Sequence, residues 1–205
     1  MPEAKLQPRS AFDDLTPAQG PSTSAAGLRA LRRDAVQLAG VATRAGGDEV
    51  LRGRLKERYG LDLPDGPRRS QGRAITAVGV ATSAWLFVAE PFEGSEFAVE
   101  LGKILKGAAS VVDQSSAYEV LRLSGPALRS VLAKGVALDF HADAFGRDAA
   151  AVTLAEQVRV ILWRVDSGDE LELDIAVPRS YFGAFWSWLT YSAASVGLAL
   201  ETRVC

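Results

Sequence analysis

The chain has 205 residues, which suffices for one sizeable domain or for two small lobes that share a core. Apolar residues make up 48% and charged residues 23%, which are ordinary proportions for a globular protein. The net charge is −2, so no bulk electrostatic attraction draws the chain to nucleic acid or to an anionic membrane. Because no membrane-spanning run or secretory signal is visible, we expect a cytoplasmic protein without a membrane or nucleic-acid partner.

The N-terminal segment, residues 1–30, is rich in proline and small residues, which predicts an extended arm. Phe12 and Leu15 are its strong apolar side chains, and the arm packs either on its own domain or along a partner. The remainder, 31–205, is expected to form a single α+β domain. A division into two lobes near residues 110–115 is the alternative.

The first half predicts strands and helices in alternation. Residues 35–43 indicate a strand, and Asp48 is expected to cap a helix that Gly60 ends. Residues 73–89 predict two short strands with a hinge near Thr82 and Ser83. A second helix is expected over about 96–106, with an apolar face.

The second half becomes richer in strands. The sequence "LSGPALRSVLAKG" predicts a helix that Ser124 caps, Pro126 opens and Gly135 ends. The strand at 158–165 is expected to be covered on both faces, and "DSGDE" predicts a hairpin turn. The return strand "LELDIAV" shows two-residue alternation, and Pro178 ends it. An aromatic helix of about 18 residues then extends to Gly197. This order predicts an α+β fold of antiparallel sheets with packed helices.

The polar cluster at Asp113, Ser115 and Ser116 has two interpretations. A carboxylate at the end of a strand can accept a proton or bind an amine. Asp and Ser side chains also bind nearby backbone amides and fix turns, and we favour this structural interpretation, in which Asp113 and Ser116 organise the turn. No phosphate-binding glycine motif is present, which argues against a nucleotide cofactor held by this chain.

The lone histidine, His141, and the lone cysteine, Cys205, leave little further chemistry. A single imidazole excludes most catalytic zinc sites. Asp139 and Asp143 flank His141 at a spacing that places all three side chains on one face of an extended segment. A weak metal site or a pH-sensitive contact is therefore weighed against a plain polar loop. Cys205 has no partner for an internal disulfide, which also favours the cytoplasm.

The last helix carries more aromatic residues than one core stripe needs. Phe182, Phe185, Trp186 and Leu189 share one face at helical spacing and are expected in the core. Tyr181 and Trp188 lie outside this stripe. For these two, a protein–protein interface, a second core layer and a ligand pocket remain open.

Two long stretches resemble a known family, the gamma subunits of heterotetrameric sarcosine oxidase. They are "VVDQSSAYEVLRLSGPALRSVLAKGVALDFHADAF" and "VRVILWRVDSGDELELDIAVPRSYFGAFWSWL". The upstream segments "LKERYGLDLPDGPRR" and "AWLFVAEP" are also similar to this family. The arrangement of Asp113 ahead of Ser124, Gly125 and Pro126 is shared with the folate-binding aminomethyltransferases of the glycine cleavage system.

The resemblance implies an aminomethyltransferase-like fold and a structural subunit without catalytic, cofactor or metal residues of its own. It further implies alpha, beta and delta partner subunits that hold FAD, FMN, NAD, tetrahydrofolate and zinc. The complex would oxidise sarcosine to glycine, pass the one-carbon unit to tetrahydrofolate and reduce oxygen to hydrogen peroxide. The alternative is a free-standing folate-binding protein or aminomethyltransferase-like enzyme, in which Asp113 with Arg122 or Arg179 would contact the folate.

Overall fold

A computed structural model describes residues 26–34, 36–90, 96–165 and 170–202. These residues form eleven strands and four α-helices. In chain order the strands are β1 (Leu28–Arg32), β2 (Gln37–Thr43), β3 (Arg69–Gln71), β4 (Ile75–Ala81), β5 (Ala84–Ala89), β6 (Ala109–Asp113), β7 (Tyr118–Ser124), β8 (Ala150–Ala155), β9 (Val158–Arg164), β10 (Leu173–Pro178) and β11 (Leu198–Thr202). The helices are α1 (Asp48–Tyr59), α2 (Phe97–Ile104), α3 (Leu128–Leu132) and α4 (Phe182–Ala193), the last preceded by a 3₁₀ turn (Arg179–Tyr181).

The strands form two sheets. The smaller sheet has the order β3-β4-β5-β2-β6, with every neighbouring pair antiparallel. The larger sheet has the order β11-β1-β7-β10-β9-β8 and is antiparallel except for the pair β1–β11, in which Leu28 lies opposite Leu198. The predicted α+β class with antiparallel sheets and packed helices is confirmed. The parallel pair was not predicted.

The sheets stack face to face between two outer layers of helices, because alternate strand residues point to opposite sides. Between the sheets, Leu86 and Val88 belong to the same apolar cluster as Ile161 and Trp163. The outer face of the smaller sheet packs on α1 and α2, through residues such as Phe87. The outer face of the larger sheet packs on α3 and α4.

The prediction that Asp48 caps α1 is wrong. The helix begins at Asp48 itself, and the N-cap is Gly47, which makes no side-chain capping bond. A Cβ at Gly47 would lie 2.2 Å from the carbonyl oxygen of Ala108, so the close passage of the chain excludes a capping side chain there. The Asp48 carboxylate instead accepts a 2.8 Å hydrogen bond from Arg52 Nε. The predicted end at Gly60, with its left-handed φ of 64°, is confirmed.

The prediction that Ser124 caps the next helix is also wrong. Ser124 is the last residue of β7 and pairs with Arg29 of β1. The helix α3 has Ala127 as its N-cap and ends at Leu132, before the predicted end at Gly135. The backbone N–H of Ala127 donates to the carbonyl of Gly27, which directly precedes β1. The Ser-Gly-Pro turn after β7 is thereby attached to the start of β1.

The strand at 158–165 is confirmed as β9, and it is covered on both faces. The two-residue alternation expected for the return strand is wrong, because all five residues from Leu173 to Val177 are buried. Helices cover one side of β10 and the smaller sheet covers the other, as in strands at the centre of a layered domain. The predicted hairpin turn lies mostly outside the described residues, which omit 166–169.

The aromatic helix is shorter than predicted, and its core stripe is confirmed: Phe182, Phe185, Trp186 and Leu189 are buried. Trp188 is only 9% exposed and its ring lies 5.6 Å from that of Phe185, so it belongs to the core of its own domain.

Two further expectations concern the N-terminal arm and the boundary between the two sheets. Residues 1–25 of the predicted arm lie outside the described residues, whereas Leu28 begins β1, a strand held between β7 and β11. The chain passes from the smaller to the larger sheet between Asp113 and Tyr118. Within the described ranges no helix is long and apolar enough to cross a membrane.

Candidate functional site

A buried carboxylate, Asp174, lies at the centre of the strongest polar feature between the sheets. Its position in β10 directs it to the inner face, and it is 3% exposed. In the ladder it lies opposite Arg122 of β7 on one side and Trp163 of β9 on the other. A buried carboxylate requires hydrogen-bonded cationic partners, because desolvation of an unpaired charge is costly.

Two arginines meet this requirement. Arg122 donates from Nε to Oδ1 at 2.7 Å and from Nη2 to Oδ2 at 2.8 Å, which is a bidentate pair. Arg33, which follows β1, donates from Nη1 to Oδ2 at 3.0 Å and also pairs with Glu90. We name the set Arg33, Glu90, Arg122 and Asp174 the ion-pair cluster. Its formal charges sum to zero.

The electrostatics of Arg122 follow from this arrangement. Burial acts to lower the pKa of its guanidinium, but the hydrogen bonds and charge of Asp174, with a contribution from the charge of Glu172, outweigh burial. The net result is a raised pKa, so Arg122 stays protonated at every physiological pH. Arg122 therefore contributes a fixed positive charge to the cluster.

A small polar cavity of about 180 Å³ adjoins the ion-pair cluster, and Arg69, Gln71, Thr76 and Trp163 also line it. This volume is below the range of drug-sized ligand pockets. Arg69 is engaged by Asp148, with hydrogen bonds of 2.9 and 3.1 Å. Each charged side chain around the cavity thus has an oppositely charged partner. This pairing is typical of residues that hold two sheets together.

A larger groove of about 470 Å³ lies where β4 and β8 come together. Its apolar lining includes Trp85, Val80 and Val152, with Pro64 and Pro67 at one side. Trp85 Nε1 donates to the carbonyl of Pro64 at 3.0 Å, which leaves the groove without a free donor from that ring. Shape and apolarity would suit a hydrophobic side chain in this groove.

The Asp113 cluster is a turn, as we favoured. Asp113 Oδ1 accepts from Ser115 N at 2.9 Å and from Ser115 Oγ at 2.7 Å. Ser115 Oγ in turn accepts from Leu38 N at 3.0 Å, so the turn attaches the end of β6 to β2. The residue that works with Asp113 is Ser115, and the exposed Ser116 has no comparable part in this turn.

His141 lies in an exposed turn. Asp139 Oδ1 accepts from the backbone N–H of His141 at 2.8 Å, and His141 Nδ1 lies 3.3 Å from Asp143 Oδ2. Among the residues that the structure describes, no group of three His, Cys, Asp or Glu side chains is placed to hold a metal ion. Cys205 lies outside the described residues.

Each residue nominated for folate is engaged by another side chain of the domain. Asp113 ends a strand of the smaller sheet and is engaged by Ser115, whereas Arg122 lies in the larger sheet and is engaged by Asp174. Arg179 has Glu119 as its neighbour, with Nε 3.9 Å from Oε1. Sequence reasoning missed the ion-pair cluster, although charged residues inside the apolar strands "VLRLS" and "LELDIAV" were a usable signal.

Two stacked sheets between outer layers of helices define a layered α+β domain. The fold matches a chain of heterotetrameric sarcosine oxidase from Corynebacterium sp. U-96 with a TM-score of 0.77 at 22% identity, over 97% of this chain and 99% of that chain. It also matches the glycine cleavage system aminomethyltransferase T of Bartonella henselae with a TM-score of 0.58 at 19% identity, over 86% of this chain and 48% of that chain.

The sequence narrows the class further. Residues 47–195 match the sequence model described as "Sarcosine oxidase, gamma subunit family". The chain belongs to this family. Proteins named sarcosine oxidase subunit gamma from Corynebacterium sp. (strain P-1) and Arthrobacter sp. are each 36% identical over 115 residues. Each of these matches covers 54% of this chain, which spans about half the length of the curated relatives it matches (55%).

Proposed function

We propose that the chain is a non-catalytic, structural gamma subunit of a heterotetrameric sarcosine oxidase. The observation that carries this proposal is the family match over residues 47–195, which includes all four described helices and strands of both sheets. The complex would oxidatively demethylate sarcosine to glycine, with tetrahydrofolate as one-carbon acceptor and oxygen reduced to hydrogen peroxide.

The chemistry of the described residues supports a structural role. The carboxylates at the two candidate positions are engaged within the domain: Asp174 by two arginines and Asp113 by Ser115. A general base must be free to reach a substrate proton, and both of these side chains would have to break existing hydrogen bonds first. Asp113 instead holds the end of β6 on β2, and Asp174 joins β10 to β7 and to Arg33.

The partners of this subunit would be the alpha, beta and delta chains of a cytoplasmic complex. FAD, FMN, NAD, tetrahydrofolate and zinc would be held by those chains. The gamma subunit would bury apolar surface of a larger subunit, and permanent interfaces of this kind commonly exceed roughly 2,000 Å² in total.

Co-purification tests the proposal. The tagged chain is co-expressed with the other subunits of the oxidase, and we expect a stable complex that carries flavin absorbance and oxidises sarcosine. The tagged chain alone is the control, and it should show neither property. Sarcosine turnover by the lone chain, or failure of the wild-type chain to retain the other subunits, would contradict the proposal.

The fold shared with an aminomethyltransferase supports a second candidate, a free-standing folate-binding protein or aminomethyltransferase-like enzyme. Titration of the isolated chain with tetrahydrofolate separates the two. Stoichiometric binding would favour this second candidate, whereas the structural subunit should give no saturable signal.

A further inference from the structure

The side of α4 that faces away from the larger sheet is unusual in composition. From Ser180 to Leu200 the sequence contains no Asp, Glu, Lys or Arg, although 23% of the whole chain is charged. The exposed residues on this side form a set that we name the α4 face: Tyr181, Gly183, Ala184, Ser187, Tyr191 and Ala194. An outer helix that stays in water normally carries charged residues on its exposed side.

Two large aromatic side chains stand on the α4 face. Tyr181 is 60% exposed and Tyr191 is 84% exposed. The cores of protein–protein interfaces are depleted of charge and enriched in tyrosine, and tyrosines often carry much of the binding energy. The composition of the α4 face therefore fits a surface that is buried by another protein.

Gly183 leaves open space on the same face. A Cβ at this helical position would meet nothing within 4 Å, so no contact among the described residues requires a glycine. Glycine in a helix lowers helix stability relative to alanine, and this holds equally for Gly53 in α1, so it is the place of Gly183 on the uncharged α4 face that associates it with a contact outside the domain. Ser187 Oγ donates to the carbonyl of Gly183 at 2.9 Å, which satisfies that carbonyl. Because Gly183 has no side chain, another backbone can approach the helix closely at this point.

The opposite outer layer shows the contrast. The helix α1 has the sequence DEVLRGRLKERY, in which charged residues of both signs predominate. Several of them are already paired, as with Arg52, which binds both Asp48 and Asp65. The helix α1 has the composition of a solvated surface, so α1 and α4 differ in what they are suited to contact.

We infer that the α4 face is the surface through which the chain docks on an uncharged, apolar-rich surface of a larger oxidase subunit. The inference rests on the proposed function, which supplies the partner subunits. The chemistry of the occupant follows from complementarity: a charge placed against this face would lose its hydration without gaining an ion pair. The occupant is therefore neutral where it meets α4.

A charge placed on the face tests the inference in the complex. Ala184→Arg is introduced into the tagged chain and co-expressed with the other subunits. The matched control is Val99→Arg on α2, where Val99 is 48% exposed. We expect Ala184→Arg to lower retention of the other subunits at least tenfold, and Val99→Arg to retain them like wild type. Both isolated variants should melt at the wild-type temperature, since both positions are exposed.

The possible failures are distinguishable. If the wild-type chain does not retain the other subunits, the proposed function fails. If the wild-type chain and the Ala184→Arg variant retain them equally, the docking surface is wrong and the proposed function stands.

Gly183→Ala should change the melting temperature of the chain and its affinity for the other subunits in opposite directions. We expect the isolated variant to melt at a higher temperature than wild type, because alanine favours the helix. Its affinity for the other subunits should fall, because the new methyl group prevents the close approach. An affinity equal to or above that of wild type would overturn the inference.

Hydroxyl-radical labelling of Tyr191 identifies the occupant. Protection that appears only in the complex supports the inference. Protection in the isolated chain that disappears when residues 1–25 are removed would assign the face to the N-terminal segment. Protection that rises with the concentration of the isolated chain, and does not change when the other subunits are added, would assign it to a second copy. Either of these results would overturn the inference.

Discussion

Arg122 and Asp174 face each other across the β7–β10 pair and are joined by two hydrogen bonds, of 2.7 and 2.8 Å. Arg33, the residue that follows β1, adds a third bond to the same carboxylate. Loss of the carboxylate would remove both hydrogen bonds of the Arg122 guanidinium and leave Arg33 paired with Glu90. This relationship leads to the first prediction.

Asp174→Asn should lower the free energy of unfolding by about 3–5 kcal/mol, the usual cost of breaking a buried ion pair by removing one partner. Urea unfolding followed by tryptophan fluorescence measures it. The control is Asp148→Asn, because Asp148 is itself 52% exposed in its pair with Arg69, and the expected loss is below about 1 kcal/mol. Equal losses in the two variants would contradict the assignment of a structural role to the ion-pair cluster.

Ser115→Ala should destabilise the chain by about 1–2 kcal/mol, because the Leu38 N–H loses its acceptor and the Asp113 carboxylate loses a donor. Chemical unfolding at neutral pH provides the measurement. Ser116→Ala is the matched control at the adjacent exposed position, and its effect should stay within about 0.5 kcal/mol. A larger effect at Ser116 than at Ser115 would show that the turn is assigned to the wrong serine.

Gly135→Ala should cost about 1–3 kcal/mol, because a Cβ would lie 2.6 Å from Nε1 of the buried Trp188 ring. Gly53 lies in α1, where a Cβ would meet nothing within 4 Å. Gly53→Ala should therefore raise stability by about 0.5–1 kcal/mol. Thermal melts should show a lower melting temperature for Gly135→Ala and a higher one for Gly53→Ala. A shift of both variants in the same direction would contradict the prediction.

Tyr59→Phe should raise stability at neutral pH by about 1 kcal/mol. The Tyr59 hydroxyl is buried and has no hydrogen-bond partner among the described residues, and the loss of an unsatisfied hydroxyl removes its desolvation cost. Destabilisation of the variant by a similar amount would show that the hydroxyl does make a bond.

The same residue predicts a pH dependence. Burial, followed by the charge of Glu100, raises the pKa of Tyr59 in the folded chain above its ordinary value. Above about pH 10 the unfolded chain therefore releases a proton that the folded chain retains, and stability falls as pH rises. Urea unfolding of wild type and Tyr59→Phe at pH 7 and near pH 10.5 should show the advantage of phenylalanine growing with pH. A constant difference would contradict the raised pKa.

Local signals in the sequence predicted the elements well. Helical spacing gave α1, and the end of that helix at Gly60 followed from the conformational freedom of glycine. The two strands on either side of Thr82 and Ser83 were also predictable, and Ser83 has the positive φ of a tight hairpin. The order of the predicted elements supplied the α+β class, and the family resemblance added the aminomethyltransferase-like fold.

Features that depend on distant parts of the chain were not predictable from local pattern. Asp48 resembles an N-cap in sequence, but the passage of Ala108 beside Gly47 sets the start of the helix. Trp188 lies off the core stripe in a helical projection, yet the space above Gly135 admits it to the core. The pairing of Arg122 with Asp174 required knowledge of which strands are neighbours.

The position of β1 has a consequence for synthesis on the ribosome. This strand is translated early, but its two ladder neighbours, β7 and β11, emerge only later, and β11 is the last strand of the described chain. The smaller sheet can assemble from β2 to β6 before either β7 or β11 is available to pair with β1. A nascent chain stalled before Leu198 would expose one backbone edge of β1, and such edges recruit other strands. The emergence of β11 from the ribosome is thus the step that completes the larger sheet.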